Sequence, residues 1–319
     1  MNIRAAVVGA GIVGAAIAYE IARAGGDVVL VDKAEPGSGV TADSFAWIGE
    51  PRDGDKEDAS TPLRRGALTD WRRWEREVPG VRVQWRGALL CGEDGDADAS
   101  ELEPNLRQPP VRSVFLKTHG AVDPVAVTQA LIRAAQSHGA RLQTHTVVDP
   151  LTAWGDADVV VIAAGVGAPA LLRPLGFELP VTSSPAHLVR FAAPPGLVRT
   201  IFVTPDLEVR EAADGELLVA AAGDTPDPGP EMLRRLTTAF DAPGVRLLGV
   251  RTGERPMPAD GMPHIGPVPG VEGVYVAVMH SGVTLAAKAA RLIAEEIVGG
   301  VEATDLAGLR PRAATPQAE

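Results

Sequence analysis

A glycine-rich turn between a strand-like run and a helix-like run constrains this chain more than any other feature. Residues 3–8 are largely β-branched or small and apolar, as in a strand buried on both faces. The sequence GAGIVG at 9–14 follows, residues 12–24 have a helical pattern, and a second apolar run at 28–31 ends at Asp32. The first 32 residues therefore predict one complete βαβ unit.

The three glycines of this turn have separate tasks. Gly9 permits the tight turn, Gly11 lets the backbone approach a pyrophosphate, and Gly14 allows the helix to pack closely on the strand. Ile12 and Val13 lie in the first helical turn, whose unpaired amides and positive dipole end stabilise a negative pyrophosphate. The motif, in this strand and helix context, predicts dinucleotide binding.

The end of the second strand supports the same interpretation without identifying the dinucleotide. Asp32 lies about 20 residues beyond the glycine turn, where a carboxylate accepts hydrogen bonds from a ribose, and Lys33 follows it. An acidic side chain here argues against a 2′-phosphate. It does not distinguish NAD from FAD.

Composition excludes several other classes of protein. The chain has 319 residues, 45% of them hydrophobic, and its 41 acidic and 30 basic residues give a net charge of −11, which argues against nucleic acid as a partner. A single cysteine, Cys91, excludes an internal disulfide, and the six histidines lack the spacing of a metal site. No apolar run reaches the roughly 18 residues of a membrane span, so we expect a soluble cytoplasmic protein.

Alternating strand and helix periods predict an α/β fold with a Rossmann-like domain and an inserted antiparallel-sheet domain. Further buried strands are predicted at 158–164 and 273–278, and half-exposed strands at 81–91 and 216–222. The predicted boundaries are 1–80, 113–170 and 246–304 for the first domain, 81–112 and 171–245 for the inserted domain, and 305–319 for a loose C-terminal tail.

Residues 61–76 have the pattern of one amphipathic helix. Leu63, Ala67, Trp71 and Trp74 recur at helical spacing. We interpret this stripe as a face packed in the core and not as a platform for stacking a ligand.

The C-terminal third contains a second motif, which resembles a known family. Residues 251–266 read RTGERPMPADGMPHIG and precede the strand-like GVYVAVMH and the helix-forming SGVTLAAKAARLIAEEIVGG. This arrangement resembles the D-amino acid oxidase, glycine oxidase and sarcosine oxidase superfamily of flavoproteins. The signature there is RP-x-x-x-D-x-x-P-x-IG, then a strand, then a Gly/His/Ser/Gly turn that opens the last helix.

The resemblance implies FAD in place of NAD, bound to a glycine oxidase-like fold with an FAD-binding domain and a substrate domain. The FAD is expected to be noncovalent, since no cysteine lies near the C-terminal signature and no histidine lies at 37–44. Other segments also match the family: the AAG turn at Gly165, the loop at 36–47, and the helix start at 281–284. The cofactor contacts implied beyond the first motif are Thr41, Ser44, Phe45, Val148, Ala164, Gly165, Gly253, Arg255, Ser281, Gly282, Val283 and Thr284.

Three side chains are candidates for catalysis by the same resemblance. In glycine oxidase-like members the arginine of the RP motif anchors the substrate carboxylate, which implies this role for Arg255; the alternative is a structural arginine. Arg210 is a second candidate on a substrate-domain strand, with a solvated residue as the alternative. His280 would contact cofactor or substrate and could act as a base, whereas His187 fits an ordinary strand residue.

The resemblance implies oxidation of the Cα–N bond of an amino acid or amine by hydride transfer to flavin N5, followed by hydrolysis of the imine. Oxygen or a carrier would reoxidise the flavin. Two alternatives stay open: an NAD-dependent dehydrogenase, and an FAD-bearing subunit of a larger complex, which the short stretch between Arg141 and Asp158 suggests. Homo-oligomerisation also stays open.

Overall fold

The computed structural model describes residues 2–149, 156–213 and 215–312, which form sheets of 6, 7 and 3 strands. The strands are β1 (Arg4–Val8), β2 (Asp27–Val31), β3 (Trp47–Ile48), β4 (Val83–Gln84), β5 (Ala88–Cys91), β6 (Ser113–Leu116), β7 (Gly120–Val122), β8 (Arg141–Gln143), β9 (Val159–Ile162), β10 (Val181–Ala192), β11 (Ile201–Val203), β12 (Glu208–Ala213), β13 (Glu216–Ala222), β14 (Arg246–Pro258), β15 (His264–Pro267) and β16 (Val274–Val278). The α-helices are α1 (Ile12–Arg23), α2 (Thr61–Arg64), α3 (Ala67–Glu77), α4 (Ala99–Leu102), α5 (Pro124–Ser137), α6 (Ala168–Leu172), α7 (Pro228–Ala239) and α8 (Gly282–Ile297), and 3₁₀ helices span Gly165–Gly167, Arg173–Leu175 and Thr304–Leu309.

The first sheet has the strand order β15-β16-β9-β1-β2-β8. β1 pairs in parallel with β2 and β9, with Val8 opposite Val31 in the first pair, and β15 runs antiparallel to β16. The βαβ unit predicted at the N-terminus is confirmed as β1, α1 and β2. The strands predicted at 158–164 and 273–278 are confirmed as β9 and β16. Helices α5 and α8 pack against α1 on this sheet.

The glycine turn brings α1 close to β1. Gly9 has φ of 106°, a conformation that favours glycine, and a Cβ there would lie 2.6 Å from the Ala163 carbonyl oxygen. A Cβ on Gly14 would lie 1.8 Å from the Gly9 carbonyl oxygen. The steric demands predicted for both glycines are therefore present in the structure.

The second sheet has the order β14-β10-β13-β12-β11-β5-β6 and is largely antiparallel. Helix α7 covers one face, where Leu236 packs in a buried cluster with Val189, Phe191 and Val219. The opposite face contacts the loop that follows β2. This sheet is the antiparallel sheet expected from the sequence.

Sheet membership differs from what the sequence predicted for three segments. β6 and β14 belong to the second sheet, although residues 113–170 and 246–304 were predicted to lie in the FAD-binding domain. Residues 81–91 do not form one strand, because β4 joins the small sheet β3-β7-β4 while β5 joins the second sheet. The partners that decide these assignments are distant in sequence, so local patterns do not reveal them.

The helix predicted at 61–76 is two helices, because the chain turns at Gly66, which has φ of 77°. The predicted core face is confirmed, since Trp71 and Trp74 are fully buried. Trp74 donates its indole N–H to the buried carboxylate of Glu20 at 2.7 Å, which satisfies both polar groups.

The prediction of a loose tail from residue 305 is wrong for its first part. Leu306 and Leu309 lie in the core cluster that also contains residues of α8, and both are almost fully buried. Arg310 then donates two hydrogen bonds to the Glu296 carboxylate, at 2.9 and 2.6 Å. The rest of the predicted tail, residues 313–319, lies outside the described residues. Among the helices that are described, none is both long and apolar enough to cross a bilayer.

The packed C-terminal segment should contribute to stability. Leu306→Ala removes a fully buried side chain and should lower the free energy of unfolding by about 2–5 kcal/mol, measured by denaturant titration. Val301→Ala is the matched control, because Val301 is 66% exposed, and should change it by less than about 0.5 kcal/mol. Equal effects would show that the segment is loose.

The close approach of α1 to β1 can be tested separately. Gly14→Ala inserts a methyl group against the Gly9 carbonyl and should destabilise the protein by at least about 1–3 kcal/mol in thermal unfolding. Gly249→Ala is the control, since a Cβ there meets no atom within 4 Å. A Gly14→Ala protein as stable as the control would contradict the geometry of the turn.

Candidate active site

The start of α1 is held in place by two side chains. The Ile12 amide donates to Thr41 Oγ1 at 3.1 Å. The Asp32 carboxylate accepts from the amides of Ala10 at 2.6 Å and Ala34 at 2.8 Å. Asp32 thus fixes the glycine turn itself, a task that the sequence did not indicate, while its ribose contact stays a prediction.

The second predicted helix start lies directly against the first. A Cβ on Gly282 would be 3.4 Å from Val13 Cγ2, so the N-termini of α1 and α8 are neighbours. The N-cap residue of α1 is Gly11, which has no side chain to cap the helix. The N-cap residue of α8 is Ser281, whose side chain makes no capping hydrogen bond. Thr284 donates its hydroxyl to the Trp47 carbonyl at 3.0 Å, which ties α8 to β3. Two sets of helix N-terminal amides are thereby placed together, and such amides stabilise anionic groups.

The loop at 36–47 lies between the glycine turn and the second sheet. A Cβ on Gly253 would be 2.9 Å from Asp43 Cβ, so β14 approaches this loop closely. Arg251 forms an ion pair with Asp43, with Nε 2.6 Å from Oδ1. Burial raises the pKa of the Asp43 carboxyl, and the Arg251 charge opposes that rise. The 3₁₀ helix at Gly165–Gly167, just after Ala164, also packs on β14.

Other predicted cofactor residues lie around the same turn. Ser44 Oγ accepts from the Ala46 amide at 3.1 Å. The Thr146 amide donates to the Asp32 carbonyl at 2.9 Å, which brings the segment containing half-buried Val148 beside β2. Val283 is buried in the core cluster, and Lys33 is exposed. Their contacts with a cofactor stay predictions.

The structure corrects the catalytic role predicted for Arg210. Its side chain is 3% exposed, and it donates to the carbonyls of Phe45 at 2.7 Å and Val122 at 3.1 Å. Burial, with the nearby charge of Arg190, lowers the pKa of Arg210 to about 10. The guanidinium is enclosed beneath the loop, so Arg210 supports the loop and does not face a substrate; nor is it the solvated residue of the alternative.

Arg255 lies on β14, opposite Ser184 of β10. It donates to Ser184 Oγ at 3.0 Å and makes longer contacts, both of 3.4 Å, with the carbonyls of Ser184 and Pro185. Its guanidinium is half-buried and forms no ion pair with an acidic side chain in the described ranges. Both alternatives for Arg255 have support, since its contacts orient the guanidinium and leave its charge uncompensated by a carboxylate.

The two histidines behave differently. His187 contacts Thr252 Oγ1 at 2.9 Å and the Gly223 carbonyl at 3.1 Å, in agreement with an ordinary strand residue. His280 reaches the surface, yet partial desolvation and the charge of Arg255 lower its pKa. His280 and Arg255 are therefore close enough to interact electrostatically, and this interaction favours the neutral imidazole.

One charged residue near the site was missed. Glu208 is half-buried, and burial raises the pKa of its carboxyl, while Arg210 and Arg255 oppose this rise. Glu208 lies two residues before Arg210, so the same strand pattern could have indicated it. Within the part of the chain that the structure describes, no group of three His, Cys, Asp or Glu side chains could hold a metal.

Comparisons with known proteins agree with this geometry. The family model for DAO, FAD dependent oxidoreductase, matches residues 4–296. A glycine oxidase of Pseudomonas aeruginosa is 26% identical, and the match covers 98% of this chain and 99% of that protein.

Two solved structures share the fold. The glycine oxidase of Geobacillus kaustophilus has a TM-score of 0.84 at 23% identity, covering 97% of this chain and 98% of its own. The iminodiacetate oxidase of Chelativorans sp. BNC1 has a TM-score of 0.82 at 20% identity, covering 97% of this chain and 99% of its own.

The site residues fit the cofactor of this family. The absence of Cβ atoms at Gly9, Gly11 and Gly14 and the two adjacent helix starts provide a cradle of backbone amides of the kind that a dinucleotide pyrophosphate needs. The NAD-dependent alternative is set aside, because the matched family is FAD-dependent. The chain belongs to the DAO family of FAD-dependent oxidoreductases.

Proposed function

We propose that this protein oxidises the Cα–N bond of a carboxylate-bearing amine, such as an amino acid, to an imine. The proposal depends on Arg255, whose half-buried guanidinium has no acidic partner in the described ranges. Arg255 lies on the sheet face that contacts the loop at 36–47. The similar proteins named above are a glycine oxidase and an iminodiacetate oxidase, and glycine and iminodiacetate are both amines that carry carboxylates.

Arg255 would orient the substrate. A guanidinium binds a carboxylate through two parallel hydrogen bonds, which fix the direction of the Cα–H bond as well as the position of the molecule. The contacts with Ser184 and Pro185 hold the guanidinium plane in place before the substrate arrives. This pre-organisation reduces the entropy lost on binding.

The cofactor would be held by the two helix starts and the loop at 36–47. The α1 amides behind Gly11 would bind the pyrophosphate, and the α8 amides behind Ser281 would stabilise negative charge at the other end. FAD bound here supplies the acceptor for the hydride that leaves Cα. The chain itself would align the substrate.

His280 would act on the substrate as a neutral imidazole. Its lowered pKa favours the neutral form, which adds no second positive charge beside Arg255. It could accept a proton from the substrate nitrogen, which must lose one before the hydride can leave with the nitrogen lone pair assisting.

The proposed reaction is tested on the purified protein. We expect a flavin absorption spectrum, and we expect glycine, sarcosine or other D- or L-amino acids to bleach it under anaerobic conditions. Peroxide formed on admitting air identifies oxygen as the acceptor. A protein that binds FAD but is bleached by no amine would contradict the proposal and favour an FAD-bearing subunit that requires a partner.

The role of Arg255 has its own test. Arg255→Lys keeps the charge and loses the bidentate geometry, so kcat/KM for an amino acid should fall about 10- to 100-fold. Turnover of the corresponding amine without a carboxylate should change little. Arg246→Lys, an exposed arginine at the start of β14, is the matched control. Equal losses for both substrates would instead indicate a structural arginine.

A further inference from the structure

The face of the second sheet opposite α7 carries several charged residues in a defined register. Glu208 is paired with Ala220, Ala220 with Leu188, and Leu188 with Arg251, and directly opposed residues share a face. Arg255 lies four residues after Arg251 on the same strand, so it shares that face. We call this the loop-side face, because Gly253 on it contacts the loop at 36–47.

Most charges on the loop-side face are already satisfied. Arg251 pairs with Asp43, and Arg210 is enclosed by backbone carbonyls. Arg190 pairs with Glu216. The carboxylate of Glu208, in contrast, makes neither a hydrogen bond nor an ion pair with any residue of the described ranges. Glu208 and Arg255 thus lie on the same face of the sheet, and within the described ranges neither has a partner of opposite charge in direct contact.

A half-buried carboxylate without a direct partner is unfavourable. Removal from water destabilises its charged form, which is the cause of the raised pKa of Glu208, and the positive charges of Arg210 and Arg255 offset this in part. A ligand cation that donates hydrogen bonds would satisfy it. Such charge-assisted contacts contribute more than neutral ones.

The oxidised amine is a poor candidate for that cation. Hydride departure from Cα needs the nitrogen lone pair, and an ion pair with Glu208 would keep the nitrogen protonated. The strands that carry Glu208 and Arg255 are also separated by β13 and β10, about 14 Å across the sheet at usual strand spacing. The cation should therefore lie at a distance from the carboxylate that Arg255 binds.

We propose that Glu208 is a specificity-determining residue that selects substrates with a second positive charge, remote from the oxidised amine, as in a basic amino acid. The proposal rests on the proposed function for the carboxylate site at Arg255. Glu208 then discriminates against neutral side chains of the same length, because a neutral ligand would displace water from the carboxylate without replacing its hydrogen bonds.

A binding measurement tests the proposed role of Glu208 without requiring turnover. Calorimetry on the FAD-loaded protein, kept anaerobic, compares 6-aminohexanoate with hexanoate. The charged ligand should bind about 10- to 100-fold more tightly, and Glu208→Gln should abolish most of that difference. Glu216→Gln removes an equal charge from the same face and should preserve it. Equal affinities of the two ligands for the unmodified protein would overturn the proposal.

Flavin reduction provides the second test, with D- and L-lysine against D- and L-norleucine. The unmodified protein should be reduced faster by the reactive enantiomer of lysine than by that of norleucine. In Glu208→Gln the two reduction rates should become similar, and reduction by norleucine should be at least as fast as in the unmodified protein. An equal preference for lysine over norleucine in both proteins would contradict the role of Glu208 without contradicting amine oxidation. If no amine reduces the flavin, the proposed function fails, and the calorimetric comparison still decides the cation site.

Discussion

The close contact between α1 and β1 is the constraint on which the site depends. Gly14 packs against the Gly9 carbonyl where any side chain would overlap it, and this fixes where α1 begins above the ends of β1 and β9. Because α8 packs on α1, the same contact sets the position of the second helix start, with Gly282 beside Val13. A single steric requirement thus places two groups of backbone amides together, where their dipoles favour negative charge.

The loop after β2 joins this turn to the second sheet through contacts with four different elements. Thr41 accepts from the start of α1, Asp43 pairs with β14, the Phe45 carbonyl accepts from β12, and the Trp47 carbonyl accepts from α8. Several of these groups are buried, so leaving one unpaired would cost free energy. These contacts hold the loop-side face in a fixed position relative to the glycine turn at 9–14. Hydride transfer requires such a fixed geometry between substrate and cofactor.

Features set by local spacing could be predicted from the sequence. The βαβ unit follows from the GAGIVG turn and its flanking runs, and the buried face of Trp71 and Trp74 follows from helical periodicity. Features set by distant partners could not. Arg210 lies in a segment that resembles a substrate-domain strand of the family, but the carbonyls that enclose it come from the segments around residues 45 and 122. The C-terminal segment is rich in Ala, Pro and Arg and is predicted to be loose, yet Leu306 is buried in the core cluster.

By itself the sequence determined the kind of protein: a chain with a dinucleotide-binding turn and a second motif typical of flavoprotein oxidases, because both depend on residue types at short, fixed spacing. Only the tertiary structure decided which charges are free to meet a ligand. The second sheet carries three arginines whose surroundings differ after folding. Backbone carbonyls surround Arg210, a carboxylate pairs with Arg251, and a serine hydroxyl contacts Arg255. Electrostatic availability is a property of neighbours in space, and those neighbours come from strands far apart in the chain.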